Sequence, residues 1–91
     1  GAGSLIRNTT GESNTAIGNG AMEFGVTGFY NTAVGDDALQ NAVGGTGSVA
    51  VGYFALAGPT GAMYNRLTAV GTEALRNNAT EGVLNTAVGY R

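Results

Sequence analysis

The sequence contains no cysteine, no histidine and no tryptophan, and only one proline. Without Cys there is no disulfide framework and no thiolate zinc site, although secretion stays open because many bacterial surface proteins lack Cys. Without His or Cys, the usual nitrogen and sulfur metal sites are excluded, as are Cys-His and Ser-His nucleophile pairs. Basic residues number four and the net charge is -2, which leaves no electrostatic footprint for a phosphate backbone. Nucleic acid is therefore not an expected partner. No apolar run approaches the roughly 18 residues of a membrane span, so direct membrane insertion is not expected either. Charged residues make up 11% of the chain, too few for a disordered acidic or basic tail, and the Leu-rich content of a helical bundle is missing.

What is present is glycine, 17 residues in a chain of 91, and a repeat. Five pentads align: Asn14-Thr15-Ala16-Ile17-Gly18, Asn31-Thr32-Ala33-Val34-Gly35, Ser48-Val49-Ala50-Val51-Gly52, Leu67-Thr68-Ala69-Val70-Gly71 and Asn85-Thr86-Ala87-Val88-Gly89. Their glycines are separated by 17, 17, 19 and 18 positions. Three residues after each of the first four comes a second register, Ala21-Met22, Ala38-Leu39, Ala55-Leu56 and Ala74-Leu75, and Ser4-Leu5 is the same half-repeat at the start. A third register places Gly11, Gly28, Gly45 and Gly82 five residues before the pentad Ala, with Tyr64 standing there in the fourth repeat. Three registers in phase mark a repeat architecture.

Each pentad alternates with strand period. The Thr or Val at its second position and the Ile or Val at its fourth face one way, and Asn, Ala and Gly the other. The β-branched pair suits a half-buried pleated surface, and the closing Gly permits a sharp corner. Helix is disfavoured, since a Gly recurs every few residues at about 1 kcal/mol each; Ala38 to Val43 is the one tempting helical run. A repeat of this length with two short strands and two turns makes one coil of a parallel β-solenoid, its equivalent residues stacked roughly 4.8 Å apart. The expected core is the column Ile17, Val34, Val51, Val70 and Val88, with Leu39, Leu56 and Leu75 from the Ala-Leu segments.

Ordering one such repeat costs on the order of 25 kcal/mol, which about 1000 Å² of apolar burial would offset. One Val, one Leu and a few Ala do not supply that, so a shared interface between subunits is expected. The face of small Ala and Gly residues is the expected site of close approach.

At this point the pentads resemble the Ser-Val-Ala-Ile-Gly type repeats in the heads of trimeric autotransporter adhesins, which are left-handed parallel β-rolls with three chains to a head. Ser48-Val49-Ala50-Val51-Gly52 carries the match. The longer form from Asn31 to Leu39 is similar to repeats in phage tail fibres and in fibre tips of predatory and environmental bacteria, and this repeat is longer than the autotransporter unit. The resemblance implies an all-β, short-repeat parallel β-solenoid, or β-roll, assembled as a parallel homotrimer. Gly1-Ala2-Gly3-Ser4 reads as an expression scar, residues 1-4, leaving 5-91 as a single β-roll repeat domain cut from a longer fibre. The implied role is a structural or adhesive head, tip or shaft of an extracellular fibre, on a cell surface or virion, that attaches to a host, prey or tissue surface. A surface receptor or glycan of another cell is the implied partner.

Catalytic chemistry finds little support. Glu12, Glu23, Glu73 and Glu81 show no spacing from which an acid/base pair can be argued, so no enzyme and no cofactor is expected. Asp36-Asp37 occupies a corner, but two adjacent carboxylates are an incomplete ligand set for calcium, and a solvated corner is the better reading. Gly44-Gly45-Thr46-Gly47 lacks the helix and Lys of a phosphate loop. The acceptor patterns Asn8-Thr9-Thr10 and Asn78-Ala79-Thr80 fall in turns that are rich in Asn and Thr anyway, and are assigned no function.

Aromatic residues break the repeat. Tyr53-Phe54 sits where other rungs carry Asn19-Gly20, Asp36-Asp37 or Thr72-Glu73, Phe29-Tyr30 precedes the second pentad, and Tyr64 lies in the irregular stretch from Ala57. These five are the candidate ligand contacts, and a glycan-binding fibre tip is one alternative reading; packing of the rings at rung edges or subunit seams is the plainer one. A further alternative is an ice-binding β-solenoid, since Thr15, Thr32, Thr68 and Thr86 stack in register. Against it, Val49 interrupts the ladder, and Thr in this parity is expected to point inward with Ile and Val.

Overall fold

A computed structural model describes residues 11–24, 27–58, 62–76, 81–83 and 86–90. The described chain is all-β with parallel strands and no helix. Strands β1 (Thr15–Ile17), β2 (Thr32–Val34), β4 (Val49–Val51), β6 (Thr68–Val70) and β8 (Thr86–Val88) form one sheet in that order, and β3 (Ala42–Gly44), β5 (Ala62–Asn65) and β7 (Glu81–Val83) form a second. The pentads lie directly over one another: Ala16 pairs with Ala33, Ala33 with Ala50, Ala50 with Ala69, and Ala69 with Ala87. This is solenoid stacking. The run Ala38 to Val43 splits into a turn and the start of β3.

The alternation is as the sequence predicts, but its sense is the reverse. Ala33, Ala50 and Ala69 are fully buried, whereas Ile17 is 58% and Val88 77% exposed, and Val34, Val51 and Val70 are only half-buried. The expected Ile and Val core column is therefore an outward column, and the Thr residues of the same parity point outward with it. The pentad Ala residues thus face the interior of the chain's own coil, where Ala33, Ala50 and Ala69 are closed off from close approach, while the pentad glycines stay half-buried or exposed at its corner.

The physical reason is the width of the coil. The interior is already occupied by Met22, Leu39 and Leu56, each at most 1% exposed, with Leu75 packed against them. These side chains enter from turns, at φ between 51° and 55°. A left-handed L-residue costs roughly 1–2 kcal/mol, while burying a Leu or Met side chain returns roughly 1.5–3 kcal/mol. Burial wins narrowly, and the third pentad position opposite takes only Ala, although Leu67 at the first position of the fourth pentad is also fully buried in this core.

The first pentad position also faces inward and solves a second problem, the buried backbone N–H groups of the next rung. The Asn31 backbone N–H donates to Asn14 Oδ1 at 2.9 Å, and that of Ser48 to Asn31 Oδ1 at 2.8 Å. The Leu67 N–H donates in turn to Ser48 Oγ at 3.2 Å. The amide groups of Asn14 and Asn31 donate to the carbonyls of Gly28 and Gly45. Gly28 has no Cβ for a local reason: one there would lie 2.6 Å from Asn31 Nδ2.

Candidate functional site: the outward sheet face and its two corners

Outside the coil, the pentad sheet presents two parallel columns. One runs Thr15, Thr32, Val49, Thr68, Thr86 and the other Ile17, Val34, Val51, Val70, Val88. All ten side chains are half-buried or exposed, and nothing within the described chain covers them. Every residue in both columns is β-branched, so each side chain is restricted at χ1 and the surface is well defined.

At the C-terminal end of each pentad the chain turns at the Gly. The carbonyls of Gly18, Gly35, Gly52 and Gly71 accept from the N–H three residues on, at 3.2–3.3 Å. The third residue of the turn is Gly20, Asp37, Phe54 or Glu73, all at φ between 56° and 72°. A positive φ there with an i to i+3 bond is the type II turn arrangement. Its second residue, Asn19, Asp36, Tyr53 or Thr72, is exposed in every rung.

The structure sorts the candidate aromatics by position. Tyr53 is 51% exposed on this corner. Phe54 is half-buried behind it, their rings meeting edge to face with centroids 4.5 Å apart. The Arg76 guanidinium lies 4.2 Å above the Phe54 ring and pairs with Glu73 at 2.6 Å. Phe54 thus supports Tyr53 from behind. Phe29 and Tyr30, 38% and 68% exposed, occupy the opposite corner, ahead of the pentad strand, so the two aromatic pairs are not brought together. The Tyr64 side chain lies outside the described residues, as do Pro59, Thr60 and Gly61 of the irregular stretch, the segment 1–10, and the acceptor pattern at Asn78. Tyr90, 69% exposed, is a residue that sequence reasoning passed over. Its signal was present, since it follows the fifth pentad Gly as Tyr53 follows the third.

The acidic corner forms a small network. Gln40 Nε2 donates to Asp37 Oδ1 at 2.8 Å and to Glu23 Oε2 at 3.2 Å, while Asp36 Oδ1 accepts from the Asn19 backbone N–H. Burial, then the neighbouring Asp36 and Glu23 charges, raise the Asp37 carboxyl above its ordinary 3.8. Among the described residues no group of three or more His, Cys, Asp or Glu is arranged to hold a metal ion. Comparison with known proteins finds no matching family model, no matching curated protein and no matching solved structure.

Proposed function

We propose that the chain is a structural and adhesive segment of an extracellular homotrimeric fibre, with the outward Thr/Val and Ile/Val columns as the seam between subunits. One observation carries this reading: a continuous face of β-branched side chains, half-buried or exposed, points away from the coil while the coil's own interior is filled mainly by Ala and a few Leu and Met. A narrow coil of this kind buries little apolar area alone, and laying three such faces together adds the missing burial. The number three is supported by the likeness of the pentads to autotransporter heads. Stacked rungs suit a projecting rod, because rungs are added without redesign and their strand edges are consumed by the neighbouring rungs.

Sedimentation equilibrium tests it. The expected species has three times the 9.0 kDa mass of one chain. Val51→Glu, at the centre of the face, is expected to reduce it to a monomer by placing unpaired charge in the seam. A wild-type chain that is a folded monomer across all concentrations refutes the proposal.

The outward orientation of Thr15, Thr32, Thr68 and Thr86 favours a second reading, an ice-binding face, because a Thr ladder directed at solvent is what that activity requires. The two readings make opposite demands on one surface, which is buried in a trimer and bare on an ice crystal. A monomer with measurable thermal hysteresis would favour ice, and a trimer without it the fibre.

A further inference from the structure

The corner that follows the pentads carries a second exposed feature, a ridge one residue wide. Asn19, Asp36, Tyr53 and Thr72 occupy equivalent turn positions, and Tyr90 follows Gly89 in the same register. Backbone bonds hold these turns over one another: the Asp37 N–H donates to the Asn19 carbonyl at 2.8 Å, Phe54 to Asp36 at 3.0 Å, and Glu73 to Tyr53 at 2.7 Å. All five ridge residues are exposed. With rungs about 4.8 Å apart, Tyr53 and Tyr90 stand two rungs and roughly 10 Å from one another, with Thr72 between them and Asp36 on the far side of Tyr53.

We propose that this ridge binds an uncharged, extended β-1,4-linked glycan whose chain runs along the solenoid axis. In such a polymer alternate sugar rings present the same face, and their separation, one disaccharide repeat, is close to the two-rung spacing of the tyrosines. Each Tyr offers a flat apolar ring against the C–H face of a pyranose, with a hydroxyl at its tip. Thr72 meets the hydroxyl edge of the intervening ring. The Asp36 carboxylate, already oriented by the Asn19 N–H at 3.2 Å, has capacity for further donors and accepts from a sugar hydroxyl. Tyr53 is held ready for this by Phe54, which is itself clamped by Arg76 and Glu73, so little ordering cost falls on binding. The charge on the ridge selects the class of glycan. Asp36 sits in it and the chain carries a net -2, which disfavours uronates and sulfated or sialylated sugars.

The inference depends on the stacking of the rungs and not on the trimer, and the test keeps the two apart. Binding is measured by titration calorimetry with cellohexaose and chitohexaose, against maltohexaose, whose α-1,4 links curl the chain, and polygalacturonate, which is anionic. At least one β-1,4 hexaose is expected to bind and neither control to do so. Tyr53→Thr and Tyr90→Thr install the residue that rung four already carries, so the turn is preserved. Each is expected to weaken hexaose binding about tenfold or more, in line with loss of an aromatic anchor, while sedimentation shows an unchanged mass. Failure of both β-1,4 hexaoses to bind overturns the proposal, as does equal binding of maltohexaose, or wild-type affinity in a folded Tyr53→Thr variant.

Discussion

Replacing Gly52 with Ala is expected to destabilise the fold markedly more than the same change at Gly89. Both glycines close a pentad, at φ of 129° and 127°, a region that L-residues enter at a cost of about 1–3 kcal/mol. They differ in what lies beyond. A Cβ on Gly52 would stand 2.6 Å from the Gly71 carbonyl oxygen and 2.7 Å from its carbon, whereas one on Gly89 has nothing within 4 Å. The obstruction at Gly52 is backbone, so no rotamer change relieves it, and the rungs must separate. They are held there by the Gly71 N–H on Val51 at 2.8 Å and the Glu73 N–H on Tyr53 at 2.7 Å, and loosening a buried backbone bond costs roughly 1–3 kcal/mol. Gly52→Ala should therefore cost about 3–6 kcal/mol, against about 1–3 kcal/mol for Gly89→Ala. A chain of this length has roughly 5–14 kcal/mol in all. Urea unfolding followed by far-ultraviolet circular dichroism, at one protein concentration so that any assembly contributes equally, measures both. Destabilisation of the two variants by the same amount, within about 0.5 kcal/mol, would refute the claim that close rung contact and not φ alone demands glycine.

Two further substitutions probe the interior and the acidic corner. Asn31→Ala removes the acceptor of the buried Ser48 N–H and is expected to cost about 1–3 kcal/mol; Asn31→Ser should recover part of that, as Ser48 Oγ already serves Leu67 in the same way, and no recovery would count against the ladder. Asp37 binds its proton more tightly in the folded chain than in the unfolded one, so its contribution to stability grows as pH falls from the raised value towards 3.8, and at neutral pH its charge is a penalty. Asp37→Asn keeps the acceptor for Gln40 and tolerates φ of 58°, so it should raise stability at pH 7 by a few tenths of a kcal/mol after solvent screening. That advantage should disappear below about pH 3.8, and an equal gain at every pH would show that the carboxylate charge is not its source.

The stacking was legible because the pentads recur in phase with two other registers, and a register that repeats to within one or two residues can only be satisfied by placing like over like. The direction in which each pentad faces was misread from hydrophobicity. Val and Ile are more apolar than Ala, which argues for Ala outside, yet the size constraint was visible in the same columns. The third position is Ala in all five pentads, while the second admits Thr or Val and the fourth Ile or Val. Restriction to one small side chain is the mark of a confined interior, and tolerance of variation is the mark of a surface. Tyr53 stood out as a break in the repeat, but its support could not be found by spacing. Arg76 reaches Phe54 across a rung from 22 positions away, a contact made by the folded coil alone.

The inversion of the pentads alters the argument for assembly more than it alters the fold. With β-branched residues inside, each coil would supply more of its own core and depend less on a partner chain. With Ala at the third position, the apolar gain per rung comes mainly from one Leu or Met brought in through a left-handed residue, joined by Leu67 in the fourth rung, and most of the gain from the left-handed residue is spent on its backbone conformation. Further left-handed residues at Tyr30, Arg66, Asp37, Phe54 and Glu73 add to the cost. What offsets these terms is backbone and Asn hydrogen bonding between rungs, which contributes only about 0.5–1.5 kcal/mol per bond net. The largest unused resource is the outward face, where five rungs align two β-branched columns on one sheet. A surface that is regular in shape and repeats along the axis is self-complementary under rotation about that axis, and covering it with copies of itself raises the stability of every rung together.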